Sequence, residues 1–205
     1  MDMTNGGGRE SDNLNDQPPL PLSEHIEWFP NWLDQQEAGT AFDTLRQQLP
    51  WQQYPIQLFG RTVLQPRLQV WMGEADYTYS GLKMSPVPWH ALVLQYKQVL
   101  EQRFECPLNA CLLNLYRDGH DYMGFHRDNE PELGGYPNIF SLSLGVERRF
   151  VFQHITTKET WTQWLTSGSL LYMKGACQRH WKHALPKALR VTEPRINLTY
   201  RYIQQ

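Results

Sequence analysis

Arg195-Ile196-Asn197-Leu198-Thr199-Tyr200-Arg201 alternates polar and apolar residues without a break. Such a period of two is the pattern of a β-strand, whose successive side chains leave on opposite faces. Arg195, Asn197, Thr199 and Arg201 share one face, and Ile196, Leu198 and Tyr200 share the other. The two arginine Cα atoms then stand roughly 20 Å apart, at about 3.3 Å per residue, and their long side chains can still converge on a compact ligand. An arginine held in a strand can clamp a small dicarboxylate through its planar fork. The alternative is a solvated polar face on an edge strand.

Working outward, a second stretch offers a similar face. In 108–116, Leu112, Asn114 and Tyr116 point together, while Cys111, Leu113 and Leu115 point away. Further short strands are expected over 139–145, 148–153, 168–173 and 179–184, with the last at 195–203. Upstream lie two helices. Asp34 can cap a helix running to Leu49, with Glu37 three positions later and Ala38, Ala41, Leu45 and Leu49 as its apolar stripe. Trp89 to Phe104 carries Trp89, Val93, Tyr96, Leu100 and Phe104 on one face, with Pro88 in its first turn. Residues 51–82 mix aromatics, glycine and short apolar runs, which suggests hairpins. Helices first and strands after, without βαβ alternation, indicate an α+β fold with a double-stranded β-helix or jelly-roll core.

Residues 1–22 are rich in glycine, asparagine, aspartate and proline and lack aromatics, so they read as a disordered tail before a single domain over 23–205. The net charge of −2 gives no global basic signature, and any nucleic-acid contact must come from a local patch. Eight tryptophans and ten tyrosines are many for 205 residues; most are expected in the core or sheets, and a surplus could serve as stacking surfaces. Three cysteines without a Cys-x-x-Cys pair argue against a disulfide framework and for a reducing compartment. There is no spanning apolar run and no apolar signal segment. A soluble cytoplasmic monomer without membrane contact is expected, nuclear if the source is eukaryotic.

His126 and Asp128 are two residues apart, so in an extended segment both can face one ion. The third donor must come from a distant strand, and His180 and His183 both qualify. Their odd separation puts them on opposite faces, so only one of them can serve. Two imidazoles and a carboxylate hold one face of Fe(II) and leave the other open for oxygen and a co-substrate. Three N/O ligands also describe a catalytic zinc site, and the ligands alone do not choose.

The runs NLYRDGHDYMGFHRDNE (114–130), SLSLGVERRFVFQH (141–154), GSLLYM (168–173), WKHALP (181–186) and PRINLTYRY (194–202) together resemble the AlkB family of Fe(II)- and 2-oxoglutarate-dependent dioxygenases. The upstream segment 57–89, QLFGRTVLQPRLQVWMGEADYTYSGLKMSPVPW, is similar to the nucleotide-recognition region of the branch of human AlkB homologues two and three. The resemblance runs from about Trp51 to Tyr202. It implies His126, Asp128 and His183 as the iron ligands. It implies Asn114, Tyr116 and Arg195 on the distal carboxylate of 2-oxoglutarate, with Arg201 nearer the metal. It sets Tyr77, Tyr79 and Glu130 near a flipped base, with Trp71 as a further aromatic face. Phe59 falls on the aromatic finger that fills the gap the base leaves. Asn129 and Tyr79 depart from the family's usual residues. The implied reaction uses Fe(II), 2-oxoglutarate and O2 to demethylate alkylated bases such as 1-methyladenine or 3-methylcytosine in DNA. The backbone would be held by Arg61, Arg67, Lys182, Lys187 and Arg190. The alternative is a related hydroxylase or demethylase acting on RNA, protein or lipid.

Overall fold

The computed structural model describes residues 21–58, 60–74, 77–79 and 82–204. A helical turn α1 (Leu22–His25) leads into strand β1 (Ile26–Phe29) and helix α2 (Gln35–Gln48). The hairpin β2 (Pro55–Leu58) and β3 (Arg61–Leu64) follows, then β4 (Leu68–Gly73) and a second hairpin, β5 (Tyr77–Tyr79) and β6 (Leu82–Met84). Helix α3 (Ala91–Phe104) precedes β7 (Ala110–Tyr116), β8 (Met123–His126), β9 (Ile139–Gly145), β10 (Arg148–His154), β11 (Thr160–Leu165) and β12 (Leu170–Met173). A last helical turn, α4 (Cys177–His180), runs directly into β13 (Trp181–Leu185), and β14 (Arg195–Arg201) closes the domain.

Apart from the two hairpins, the strands form two antiparallel sheets, six strands in the order β1-β12-β9-β14-β7-β4 and four in the order β11-β10-β13-β8. This is the expected jelly-roll core. Strand β14 lies between β9 and β7, and all seven of its residues are buried. It is central, so its polar face is not a solvated edge. Its apolar face packs under both helices. Ile196, Leu198 and Tyr200 share a core with Ala38, Ala41 and Leu45 of α2 and Val93, Tyr96 and Leu100 of α3. The Tyr200 hydroxyl donates to the Val93 carbonyl at 3.0 Å, which ties α3 to the strand. The second core fills the space between the sheets with Phe150, Phe152, Leu171, Met173 and Trp181.

Several boundaries shift for local reasons. Helix α2 starts as the sequence indicates, with Asp34 Oδ1 accepting from the Glu37 amide at 2.8 Å. Helix α3 begins two residues after Trp89, because His90 caps it by accepting from the Leu92 amide through Nδ1. The side chain of Asn109 accepts from the Ile203 amide and donates to the Ile203 carbonyl, so β7 starts and β14 ends inside their expected ranges. His180 is not in a strand. It ends α4, where its ring stacks on His25 at 5.3 Å and on His154 at 6.4 Å. Leu22, placed in the expected tail, is buried in the core between the sheets.

Replacing Asp34 with alanine removes the cap of α2. We expect a loss of about 1 kcal/mol and a melting temperature lower by roughly 2–4 °C. Chemical and thermal denaturation of the purified variant check this, and an unchanged midpoint would show the cap to be energetically idle.

Candidate metal and dicarboxylate site

His126 and His183 are cross-strand partners on β8 and β13. Their rings meet edge to face with centroids 4.3 Å apart. Asp128 lies just past the end of β8, its amide anchored on Gln178 Oε1 at 3.1 Å. One ligand atom from each of the three residues falls within 4.8 Å of the others. That is close to the span one ion bridges with bonds of about 2.1 Å. His183 Nε2 and Asp128 Oδ2 are buried and 3.8 Å apart, too far for a hydrogen bond and suited to an ion between them. His126 Nδ1–H donates to the Gly124 carbonyl at 2.9 Å, which leaves the lone pair of Nε2 free to ligate a metal.

The electrostatics suit a cation. Burial, the neighbouring His126 ring and Arg201 push the His183 pKa down to about 3, against the pull of Asp128. Burial also lowers His126. Burial alone would raise Asp128, but Arg201, His183 and His126 outweigh it and hold the carboxylate below its ordinary range. Both imidazoles are therefore neutral and the carboxylate ionised at neutral pH, the protonation state that metal binding requires.

The polar face of β14 continues from this triad. Arg201 Nη2 lies 3.3 Å from Asp128 Oδ1 and orients that ligand. At the far end Arg195 is 1% exposed. Its Nη2 donates to Ser143 Oγ at 2.9 Å, its guanidinium lies 5.5 Å from the centre of the Tyr116 ring, and its Nε has no hydrogen-bond partner among the described residues. Among the described residues no carboxylate pairs with it. Burial brings its pKa down to about 10, partly offset by Tyr116 and reinforced by Arg148. A guanidinium buried without an anion calls for one from outside. Between Arg195 and Arg201, Asn197 Nδ2 donates to Ser141 Oγ and the Leu142 carbonyl, and Thr199 Oγ1 donates to Asn197 Oδ1. On β7, Asn114 Oδ1 accepts from Arg67 Nε and Gln69 Nε2, which fixes the amide with its nitrogen as the remaining donor.

The structure thus gathers His126, Asp128, His183, Asn114, Tyr116, Arg195, Asn197, Thr199 and Arg201 around one cleft. Glu130 does not line the cleft. It is half-buried and opens a 3-10 turn at Pro131–Leu133. Tyr77 and Tyr79 are the two ends of β5, and Phe59 lies outside the described residues. Two expectations are corrected. Arg67 is not a surface contact for a nucleic-acid backbone. It is 3% exposed and lines the cleft, held by Asn114 and Gln65, because β4 pairs with β7 and brings its start under the sheet. Trp71 is a core residue at 1% exposure, packed with Leu112, Leu133 and Ile203, and offers no stacking face.

Sequence reasoning missed Arg67, Ser141 and Met123 as lining residues, and Arg148 as a support. Ser141 could have been found from the period-two run Ser141-Leu142-Ser143-Leu144. Arg148 is 1% exposed and donates to the carbonyls of Asp118, Asp121 and Pro186, pinning the loop that delivers β8. The close fit of that loop shows at Gly119, where a Cβ would lie 1.8 Å from the Ala188 carbonyl oxygen.

Because both histidine pKa values are lowered, protons compete poorly for the site. We expect the Mn(II) affinity of the apoprotein to change less than about threefold between pH 7.5 and 6.0, since an ordinary imidazole titrates near 6.5. Asp128→Ala should abolish binding at both pH values. Electron paramagnetic resonance titration of free Mn(II) measures both, and a steep loss by pH 6.0 would contradict the assigned protonation state.

The 2OG-Fe(II) oxygenase superfamily model matches residues 25–201. The chain is 39% identical over 184 residues to the alpha-ketoglutarate-dependent dioxygenase alkB homolog 3 of Bos taurus, which covers 85% of this chain and 64% of that protein. It is 38% identical to the Homo sapiens alkB homolog 3, covering 85% and 65%. It is 37% identical to the DNA oxidative demethylase ALKBH2 of Mus musculus, covering 72% and 66%. The chain thus spans less than two thirds of the length of these relatives. In fold it is similar to the solved structure of OsALKBH1, with a TM-score of 0.62 at 16% identity over 90% of this chain and all of that one. The family match spans both strands of the candidate triad and the arginine strand, and it shows that the chain belongs to the 2OG-Fe(II) oxygenase superfamily.

Proposed function

We propose that this protein is an Fe(II)- and 2-oxoglutarate-dependent dioxygenase that oxidatively dealkylates bases in DNA, of the 1-methyladenine and 3-methylcytosine type. The observation that carries the dioxygenase reading is Arg195: a buried guanidinium without an anion, on the same strand face as the arginine that pairs with Asp128. The similarity to alkB homolog 3 and to the DNA oxidative demethylase ALKBH2 supports the choice of substrate. Among the described residues no helix is long and apolar enough to cross a membrane.

Fe(II) held by His126, Asp128 and His183 would supply oxygen activation coupled to decarboxylation of 2-oxoglutarate. The chain's own residues do the rest. Arg195 takes the distal carboxylate through its fork, with Tyr116 and the Asn114 amide beside it. Asn197 and Thr199 hold the floor of the cleft by bonding among themselves and to Ser141. Arg201 fixes the Asp128 carboxylate and balances its charge. Phe150 stacks on His183 at 5.3 Å and, with Phe152, keeps water from the back of the imidazole. A methylated Watson–Crick edge is hidden in a duplex, so the base must be extruded before it reaches the metal. The methylated bases are cationic, and Tyr77, Tyr79 and Glu130 are the proposed contacts with a planar cation.

The test is formaldehyde release from an oligonucleotide carrying one 1-methyladenine, with succinate measured in parallel. The wild-type protein should release both. Arg195→Met should weaken 2-oxoglutarate binding about 100-fold, the scale of removing one partner of a buried ion pair. Succinate without formaldehyde from any methylated oligonucleotide would sink the nucleic-acid substrate and keep the dioxygenase. A separate comparison concerns Phe59: Phe59→Ala should slow repair of a duplex more than of a single strand, and equal losses would remove the finger role.

A further inference from the structure

The metal cleft uses only the inner face of the four-stranded sheet. In β10 the burial alternates, with Arg148, Phe150 and Phe152 buried and Arg149 exposed. The register carries that alternation across the sheet: Arg149 faces Trp164, Val151 faces Thr162, and Gln153 faces both Thr160 and Lys182. His183 points into the cleft, so its neighbour Lys182 points out. There the Lys182 ammonium lies 5.0 Å from the centre of the Phe125 ring. The outer face thus displays two large aromatic side chains, Trp164 at 53% exposure and Phe125 at 46%.

Its charge is as one-sided as its exposure. The strands Met123–His126, Arg148–His154, Thr160–Leu165 and Trp181–Leu185 contain no aspartate or glutamate, although the whole chain has 21 acidic residues and a net charge of −2. The outward cations are Lys182 and Arg149, and the exposed Arg127 follows two residues after Phe125. Cations interleaved with exposed aromatic rings and threonine hydroxyls, on an open sheet without acids, complement a flexible polyanion that carries flat π faces. That is the chemistry of a single-stranded nucleic acid. Strand β8 is an edge strand, and its consecutive residues Phe125 and His126 serve opposite faces. A chain leaving the cleft over this edge meets Phe125 first. Trp164, on the opposite edge strand, stands three strand spacings away, roughly 14 Å.

Building on the nucleic-acid reading above, we propose that the outer face of the four-stranded sheet is a platform for the single-stranded segment that flanks the target base. Phe125 and Trp164 stack its bases, and Lys182 and Arg149 hold its phosphates.

The test compares a trinucleotide with a central 1-methyladenine and a 16-nucleotide single strand carrying the same lesion. Trp164→Ala should weaken binding of the fluorescein-labelled 16-nucleotide strand about fivefold or more and raise its KM to match, with kcat and all trinucleotide kinetics unchanged. Arg149→Ala should reduce the slope of log affinity against log salt concentration by about 0.7 for that strand, and Arg149→Lys should restore it. Wild-type affinity and salt slope in both alanine variants would overturn the platform and leave the dealkylase reading standing. Impaired trinucleotide turnover in either variant would also overturn it, since the residues would then act on the cleft. Should the wild-type protein turn over neither substrate, the dealkylase reading fails, and fluorescence anisotropy of the labelled strand still decides the platform.

Discussion

Two guanidinium groups on a strand without solvent on either side are the constraint around which this domain is arranged. Arg195 and Arg201 are 1% and 2% exposed. Taking such a charge out of water costs several kcal/mol unless a partner answers it. The two ends of β14 meet that cost differently. Arg201 has Asp128, and the pair stiffens one member of the candidate metal triad. Arg195 has a serine hydroxyl and the face of a tyrosine ring. One charge is balanced by a carboxylate of the chain, and the other by none among the described residues. The helices exist in this scheme as a seal. By covering the apolar face of β14 with Ala38, Leu45, Val93 and Leu100, they keep the opposite face dry enough for the charge to matter.

The same asymmetry extends through the cleft. Arg67, Arg148 and the two strand arginines are all buried, while Asp128 is the only carboxylate among the described lining residues. Composition shows a chain of net charge −2, so the interior sign is opposite to the overall one. Arg67 donates to two side-chain oxygens, and both Nη atoms of Arg148 donate to backbone carbonyls, though its Nε has no partner among the described residues. Arg195 has only the Ser143 hydroxyl as a hydrogen-bond acceptor among the described residues, and that deficit is what supports the proposed anionic co-substrate there.

Much of this was legible in the residues. Period-two alternation revealed β7, β9 and β14 and which residues share a face, because a strand buried on both sides, polar on one and apolar on the other, leaves that mark directly. The ends of the strands were not legible, since they depend on Asn109, a residue between elements whose side chain reaches across 94 positions to Ile203. Strands β8 and β11 were also missed. Met-Gly-Phe-His and Thr-Trp-Thr-Gln-Trp-Leu carry aromatics on the solvent face, and that erases the apolar-in, polar-out pattern. Arg67 was misread as a surface cation because an arginine beside a proline in a hairpin-rich stretch gives no local sign that the next strand will pair deep in the sheet. The choice between His180 and His183 likewise rested on resemblance. The structure gives it a physical reason, since a helical turn removes His180 from the strand and packs it between two other histidine rings.

The triad also depends on a local irregularity that no spacing rule contains. In a regular strand Met123 and His126 would lie on opposite faces, because three is odd. Both line the cleft. The pairing of β13 with β8 runs His183 to His126 and Leu185 to Met123, so two steps on one strand answer three on the other. This bulge turns the edge strand between the two contacts and presents Phe125 outward while its neighbours on either side of the bulge point in. A one-residue slip of β13 would carry His183 to the solvent face and Lys182 into the cleft. Against such a slip stand the pairing of Phe152 with His183 and the stacking of Phe150 on the imidazole, both from β10. The candidate metal site is therefore held in register by aromatic residues that pack directly on one of its histidines, and the core between the sheets and the cleft form one continuous packing problem.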